Sequence, residues 1–254
     1  MAAVAPATVV ALTLLLTGCG GDSPPKDDGA ASSPSSSPSA SRSPAPAGHT
    51  GLKRIPGVGD RLQEKIPDRS RQVVAVYGKG EDSGEAKIEL YTRKDPEKVS
   101  GGDASGRWSR DKQWSGHNGK RGWTTDHREG DKRSPVGVFT LTDAGGVLPD
   151  PGARLPYTHS SAFTPPSYWP EKTRHDFDLV IAIDYNRVEG TSPLDPTRPE
   201  GRTKGGSIWL HMDHGSGTSG CVSLSRSGME YLLRTLDPAA HPVVVMGDRA
   251  TLGK

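Results

Sequence analysis

Along the chain of 254 residues, apolar positions gather into short runs bounded by Gly, Pro, Asn and Asp. Residues 86–92 alternate apolar and polar with period two, the pattern of a half-buried strand. Residues 72–77, 136–141, 179–185, 207–211 and 242–246 are further β-rich runs of strand length. Many short strands between turn signals predict a mostly β domain, a sandwich or a barrel. One segment has a different period. Met229, Leu232, Leu233 and Leu236 recur at helical spacing, and Asp237-Pro238 stops the pattern. Either Ser225 or Ser227 can cap this helix, and Ser227 with Glu230 fits a capping box. Residues 55–60 read as a turn leading into a short helix.

The first fifty residues have another texture. An apolar run at 8–16 is too short to cross a bilayer and has the length of a signal-peptide core. It leads into Leu16-Thr17-Gly18-Cys19, which resembles a bacterial lipobox, although no Lys or Arg precedes the run. The expected organisation is a lipoprotein signal at 1–19 with Cys19 lipidated, a spacer at 20–50, and one folded domain at 51–254. The spacer is Ser, Pro, Ala and Gly with almost no large apolar side chains, so it cannot offset its own ordering entropy.

Charge adds an exclusion. Thirty-two Lys and Arg face thirty Asp and Glu, a formal charge of +2 without a basic stripe. Residues 55–60 look like the hairpin of a DNA-binding helix-hairpin-helix, but the motif occurs once and lacks a basic surface; nucleic acid is not an expected partner.

Two cysteines are present, and if Cys19 carries lipid then Cys221 is the only thiol of the folded part. An unpaired thiol in an oxidising compartment is a liability unless its chemistry is used. A strand delivers His211, a Gly/Ser-rich loop follows, and Cys221 comes ten positions later. Such a loop can fold back to set imidazole beside sulfur and hold a thiolate. The N–H groups of Gly220 and Cys221 are then candidate oxyanion donors. His214 is a second candidate base, and Asp213 reads as a solvated loop carboxylate. Trp123, Trp169 and Tyr185 are available to line a cleft, with packing the simpler role of each.

The segment Trp209-Leu210-His211 followed by Thr218-Ser219-Gly220-Cys221-Val222-Ser223-Leu224 resembles the active-site signature of the L,D-transpeptidase catalytic domain family, YkuD-type. Glu129-Gly130-Asp131 with Ser134-Pro135-Val136-Gly137-Val138-Phe139 resembles that family's hairpin, and Asp184-Tyr185-Asn186 its Tyr-Asn strand end. The likeness covers roughly residues 70–247. It implies a β-sandwich or barrel with one helix after the nucleophile motif. It makes Cys221 the nucleophile and His211 the base, with Gly220 and Ser219 in the catalytic loop. Thr218, Ser223, His214 and Tyr185 would contact substrate. Position 223 is Ser where the usual motif has Arg, and position 219 is Ser where many members have His.

The implied reaction is acyl transfer from a peptidoglycan stem tetrapeptide to an amine, outside the membrane, by a lipid-anchored monomer without metal or other cofactor. A hydrolase of the same fold, an L,D-carboxypeptidase or amidase, is the near alternative. A metal hydrolase built on His211, Asp213 and His214, with His127, His159 and His175 elsewhere, is the distant one.

Overall fold

A computed structural model describes residues 49–94 and 106–254. Cys19 and the rest of the expected anchor and spacer, up to residue 48, lie outside the described residues. In chain order the strands are β1 (Gln72–Gly78), β2 (Glu85–Lys94), β3 (Arg107–His117), β4 (Trp123–Thr124), β5 (Ser134–Pro135) and β6 (Gly137–Thr140). They continue as β7 (Ala144–Gly146), β8 (Tyr157–His159), β9 (Val180–Ala182), β10 (Trp209–Met212), β11 (Val222–Leu224) and β12 (Val243–Asp248). The α-helices are α1 (Asp60–Gln63), α2 (Arg226–Thr235) and α3 (Arg249–Leu252). Ten strands make one sheet in the order β6-β12-β1-β2-β3-β11-β10-β9-β7-β8, and β4 pairs with β5 separately. The fold is mostly β, as expected.

Both faces of the sheet centre are covered. Every residue of β1 and β12 is buried. Val74, Val76, Val244 and Met246 enter one core, while Val73, Ala75, Tyr77, Val243 and Val245 enter another. That two-sided burial is why these strands read as continuous apolar runs. Each such side chain contributes about 1.5–3 kcal/mol.

The first core also takes Ile88 and Leu90 of β2, Ile181 of β9, Leu210 of β10 and Leu224 of β11, together with Met229, Leu232, Leu233 and Leu236. Strands from both halves of the order therefore share one core with α2, which requires the sheet to curl. The second core is closed by Ile55, Val58, Leu62 and Ile66 from the start of the domain and Leu252 from its end. There Gly59 donates to the Leu252 carbonyl at 2.7 Å. A Cβ at Gly59 would lie 2.5 Å from the Lys254 carbonyl oxygen, so only glycine allows this approach.

Of the two serines expected to cap α2, Ser225 does so, accepting the Gly228 N–H, while Ser227 sits inside the first turn. The capping-box expectation is corrected. Glu230 does not close a capping box; it pairs with Arg226 at 3.0 Å.

The eleven residues of β3 escaped the period-two reading. Trp108 and Trp114 are an even number of residues apart, yet Trp108 packs in the second core and Trp114 against the first. Leu90 pairs with Lys112 but Tyr91 with Arg110, so Asp111 is an extra residue in β3. This bulge reverses the phase of the strand.

Candidate active site

β10 and β11 lie parallel, with Leu210 opposite Val222 and His211 opposite Ser223. The same register sets Cys221 beside Trp209, whose N–H reaches Sγ at 3.4 Å. His211 is two places further along its strand. With ~3.3 Å rise per residue and ~4.8 Å between strands, the two Cα atoms are about 8 Å apart, on one face. Both side chains line a cleft of about 810 Å³. Trp169, Lys172, Asp176 and Phe177 form one part of its wall, and the loop from His214 to Cys221 another.

The imidazole of His211 is fixed on two sides. Phe177 meets it edge-on at 5.3 Å, and meets Trp209 in the same way at 5.1 Å. Its Nδ1 lies 2.8 Å from the Met212 carbonyl, so Nδ1 carries the proton and Nε2 is left with its lone pair. A base needs this tautomer. Burial holds the ring well below the ordinary histidine range, at about 4, against the pull of the backbone carbonyls.

Cys221 is partly buried and free. Burial pushes its thiol up to about 11, the Trp209 N–H opposes that shift, and the charge of Asp176 adds to it. Its S–H points to the Ser207 carbonyl at 3.4 Å. Among the described residues Sγ has no hydrogen bond to an imidazole. A thiolate held by His211 was expected; burial works against it, since desolvation raises the thiol and lowers the imidazole and so favours the neutral form of each.

The nucleophile loop is held by hydroxyls. Thr218 Oγ1 donates to the Cys221 carbonyl at 2.6 Å and accepts the Gly220 N–H at 3.1 Å. From the opposite side Ser134 Oγ donates to the Gly220 carbonyl at 2.6 Å and accepts the Gly119 N–H at 2.9 Å. Gly220 has φ of +142°, in the range that favours glycine. Its N–H is therefore engaged with Thr218 and is not a free oxyanion donor, contrary to expectation. The Cys221 N–H, close to its own sulfur, remains.

The other expected residues separate. Ser219 is exposed and, with Thr218 and His214, lines the cleft. Ser223 does not. It is fully buried and donates to Asp213 Oδ1 at 2.6 Å, where His117 Nδ1 also binds at 2.8 Å. Tyr185 also lies behind the lining, its hydroxyl donating to the Lys204 carbonyl at 2.9 Å and its ring edge-on to His127. Trp169 is in the cleft wall, whereas Trp123 is buried elsewhere.

His214 pairs through Nδ1 with Asp176 Oδ2 at 3.0 Å, both side chains more than nine-tenths buried. His211, Asp213 and His214 thus engage three different partners. Among the described residues no group of three or more His, Cys, Asp or Glu converges as metal ligands would.

Sequence reasoning missed Ser134, Asp176, Phe177 and Lys172, which reaches Ser216 Oγ at 2.9 Å. Ser134 lay within the hairpin motif, without any sign that it would clamp the nucleophile loop. The other three come from one loop with no periodic signal.

The model of the L,D-transpeptidase catalytic domain, YkuD, matches residues 68–245 of the chain. No curated protein and no solved structure matches it.

Proposed function

Given that the chain belongs to the YkuD family of L,D-transpeptidase catalytic domains, we propose that it joins peptidoglycan stem peptides through a thioester on Cys221. The single observation that carries this reading is the placement of the free Cys221 and the buried, lone-pair-bearing His211 in the wall of one cleft.

In the proposed first half-reaction, Sγ attacks the carbonyl carbon of the peptide bond before the terminal D-amino acid of a stem tetrapeptide. The thiol proton passes to Nε2 of His211. Burial raises the thiol and lowers the imidazole, so both shifts oppose charge separation ahead of attack. Proton transfer therefore accompanies C–S bond formation. The Trp209 N–H, 3.4 Å from Sγ, helps carry the charge that develops there. Collapse of the tetrahedral intermediate breaks the C–N bond, and His211 returns the proton to the leaving amine. In the second half-reaction an acceptor amine attacks the thioester and restores the thiol.

The lipobox-like Cys19 and the spacer support an extracytoplasmic, lipid-anchored placement, with the domain reaching the wall as a monomer. Ser223, buried behind the cleft, leaves the handling of the acceptor to other side chains. The test is incubation of the purified domain with a defined tetrapeptide and an amine, read by intact mass and product mass. The wild type should gain the acyl mass and release the D-amino acid; Cys221→Ala should do neither while keeping its fold. Turnover by that variant would refute the assignment. Product appearing only as tripeptide acid, with amine ignored, would favour the hydrolase of the same fold.

A further inference from the structure

The cleft holds a second histidine whose hydrogen bonding differs from that of the first. His211 is oriented by a backbone carbonyl, but His214 is oriented by the carboxylate of Asp176, Nδ1 to Oδ2 at 3.0 Å. His214 and Asp176 line the cleft together with Cys221 and His211. Nε2 of His214 has no protein partner among the described residues, and it is not among the buried unpartnered atoms, so it opens to the cleft. Of the surrounding charges, Asp213 acts on both Asp176 and His211, Lys172 acts on Asp176, and His211 feels the charge of His214. A carboxylate behind an imidazole stabilises the imidazolium that a base becomes. A neutral carbonyl does so less.

Resting on the transpeptidase reading, we propose that His214 is the general base for the acceptor, with Asp176 as its positioning residue, so that the two half-reactions use different histidines. An alkyl amine arrives as an ammonium ion at neutral pH. His214 Nε2 takes one proton from it, and the freed lone pair attacks the thioester carbonyl carbon. As the C–S bond breaks, the second amine proton passes by way of His211 to the departing sulfur, which leaves as the thiol. The sum is thioester plus ammonium giving amide, thiol and one proton, which His214 releases to water. The division of labour suits the site. His211 lies on the strand beside Cys221, whereas Asp176 and His214 join two loops of the cleft wall.

A structural role for the pair, stapling these loops, is the competing explanation, and the experiment separates the two. His214→Asn keeps an N–H for Asp176 at the Nδ1 position but cannot act as a base. Acylation by tetrapeptide is followed in single turnover by intact mass. Transfer is followed with two acceptors, an alkyl amine and hydroxylamine, which is already unprotonated at neutral pH. For His214→Asn the acyl-enzyme should form within about threefold of the wild-type rate and accumulate. Transfer to the alkyl amine should fall about a hundredfold or more, the scale of a lost general base, while hydroxylamine still clears the thioester. Asp176→Asn should show the same split at smaller size. Acylation and both transfers falling together would assign the pair a structural role and overturn the proposal, as would an unchanged alkyl-amine rate. If the wild type itself never acquires the acyl mass, the transpeptidase reading falls first and this one with it.

Discussion

The centre of the sheet and the wall of the cleft are built on opposite terms. In β1 and β12 the backbones are laddered side by side and every apolar side chain meets one of two apolar cores. Their stability is shared among many interchangeable contacts. In the cleft wall the work falls to single polar atoms: one carbonyl for His211, one carboxylate for His214, and two hydroxyls for the loop before Cys221. The difference teaches where damage will show. Substitution in the sheet should lower stability and spare the rate, and substitution in the wall should do the reverse.

The sharpest break of that contrast would come from His211. His211→Ala removes the acceptor of the thiol proton and should cut acylation by about 10²–10⁴-fold, measured as acyl mass in single turnover. Stability should move the other way with acid. A ring held at about 4 when folded against 6.5 when unfolded makes the unfolded state bind more protons between those pH values. The native protein therefore loses stability as pH falls from 6.5 towards 4, and His211→Ala should flatten that loss in melts across the range. A variant that acylates at the wild-type rate would place the base elsewhere.

Met246→Ala tests the other side. Met246 is fully buried in the first core, and its truncation should cost about 2–5 kcal/mol. That corresponds to a fall in Tm of roughly 10 °C for a domain of this size. Well below the melt, acylation should stay within about twofold of wild type. A large rate loss there would mean that the sheet transmits strain to the site, and that the two regions are not independent.

The same contrast explains what was legible in the sequence. β1 and β12 were readable because two-sided burial writes an unbroken apolar run, and the helix after Cys221 because Met229, Leu232 and Leu233 repeat on one face. β3 was not, since the extra residue Asp111 turns Trp108 and Trp114 to opposite sides of the sheet. Cys221 and His211 could be picked out because residue type and order carried the signal. Their shared neutrality could not, because it depends on desolvation by Phe177 and Trp209, brought together from separate segments. Asp176 gave no sign at all. Its meaning appears only when His214, thirty-eight positions later, closes on it.

Ser134→Ala probes a contact that belongs to the wall although its residue sits on a short strand. The hydroxyl satisfies the Gly220 carbonyl and the Gly119 N–H at once. Losing it leaves both buried groups unpaired, at about 1–3 kcal/mol each. If the clamp serves mainly to position the nucleophile, acylation should fall roughly tenfold while the loss in Tm is no larger than that of Met246→Ala. Ser134→Thr, which keeps a hydroxyl, should recover part of the rate. Equal effects of both variants on Tm, with no change in rate, would make Ser134 a core residue rather than part of the loop's support.

The last prediction concerns the reactivity of the thiol alone, apart from turnover and stability. With Cys221 pushed up to about 11, the thiolate fraction at pH 8 is about 10⁻³, against about a quarter for an ordinary thiol near 8.5. A more basic thiolate is also more nucleophilic, which recovers roughly tenfold of that deficit. Iodoacetamide should therefore modify Cys221 about twenty-five-fold more slowly than free cysteine at pH 8. The more telling readout is the shape of the profile. Free cysteine levels off above about pH 9, whereas Cys221 should keep gaining rate towards pH 11 for as long as the fold holds. A plateau near pH 6 would mean a preformed thiolate–imidazolium pair, and would move the driving force from proton transfer during attack to a charge separated beforehand.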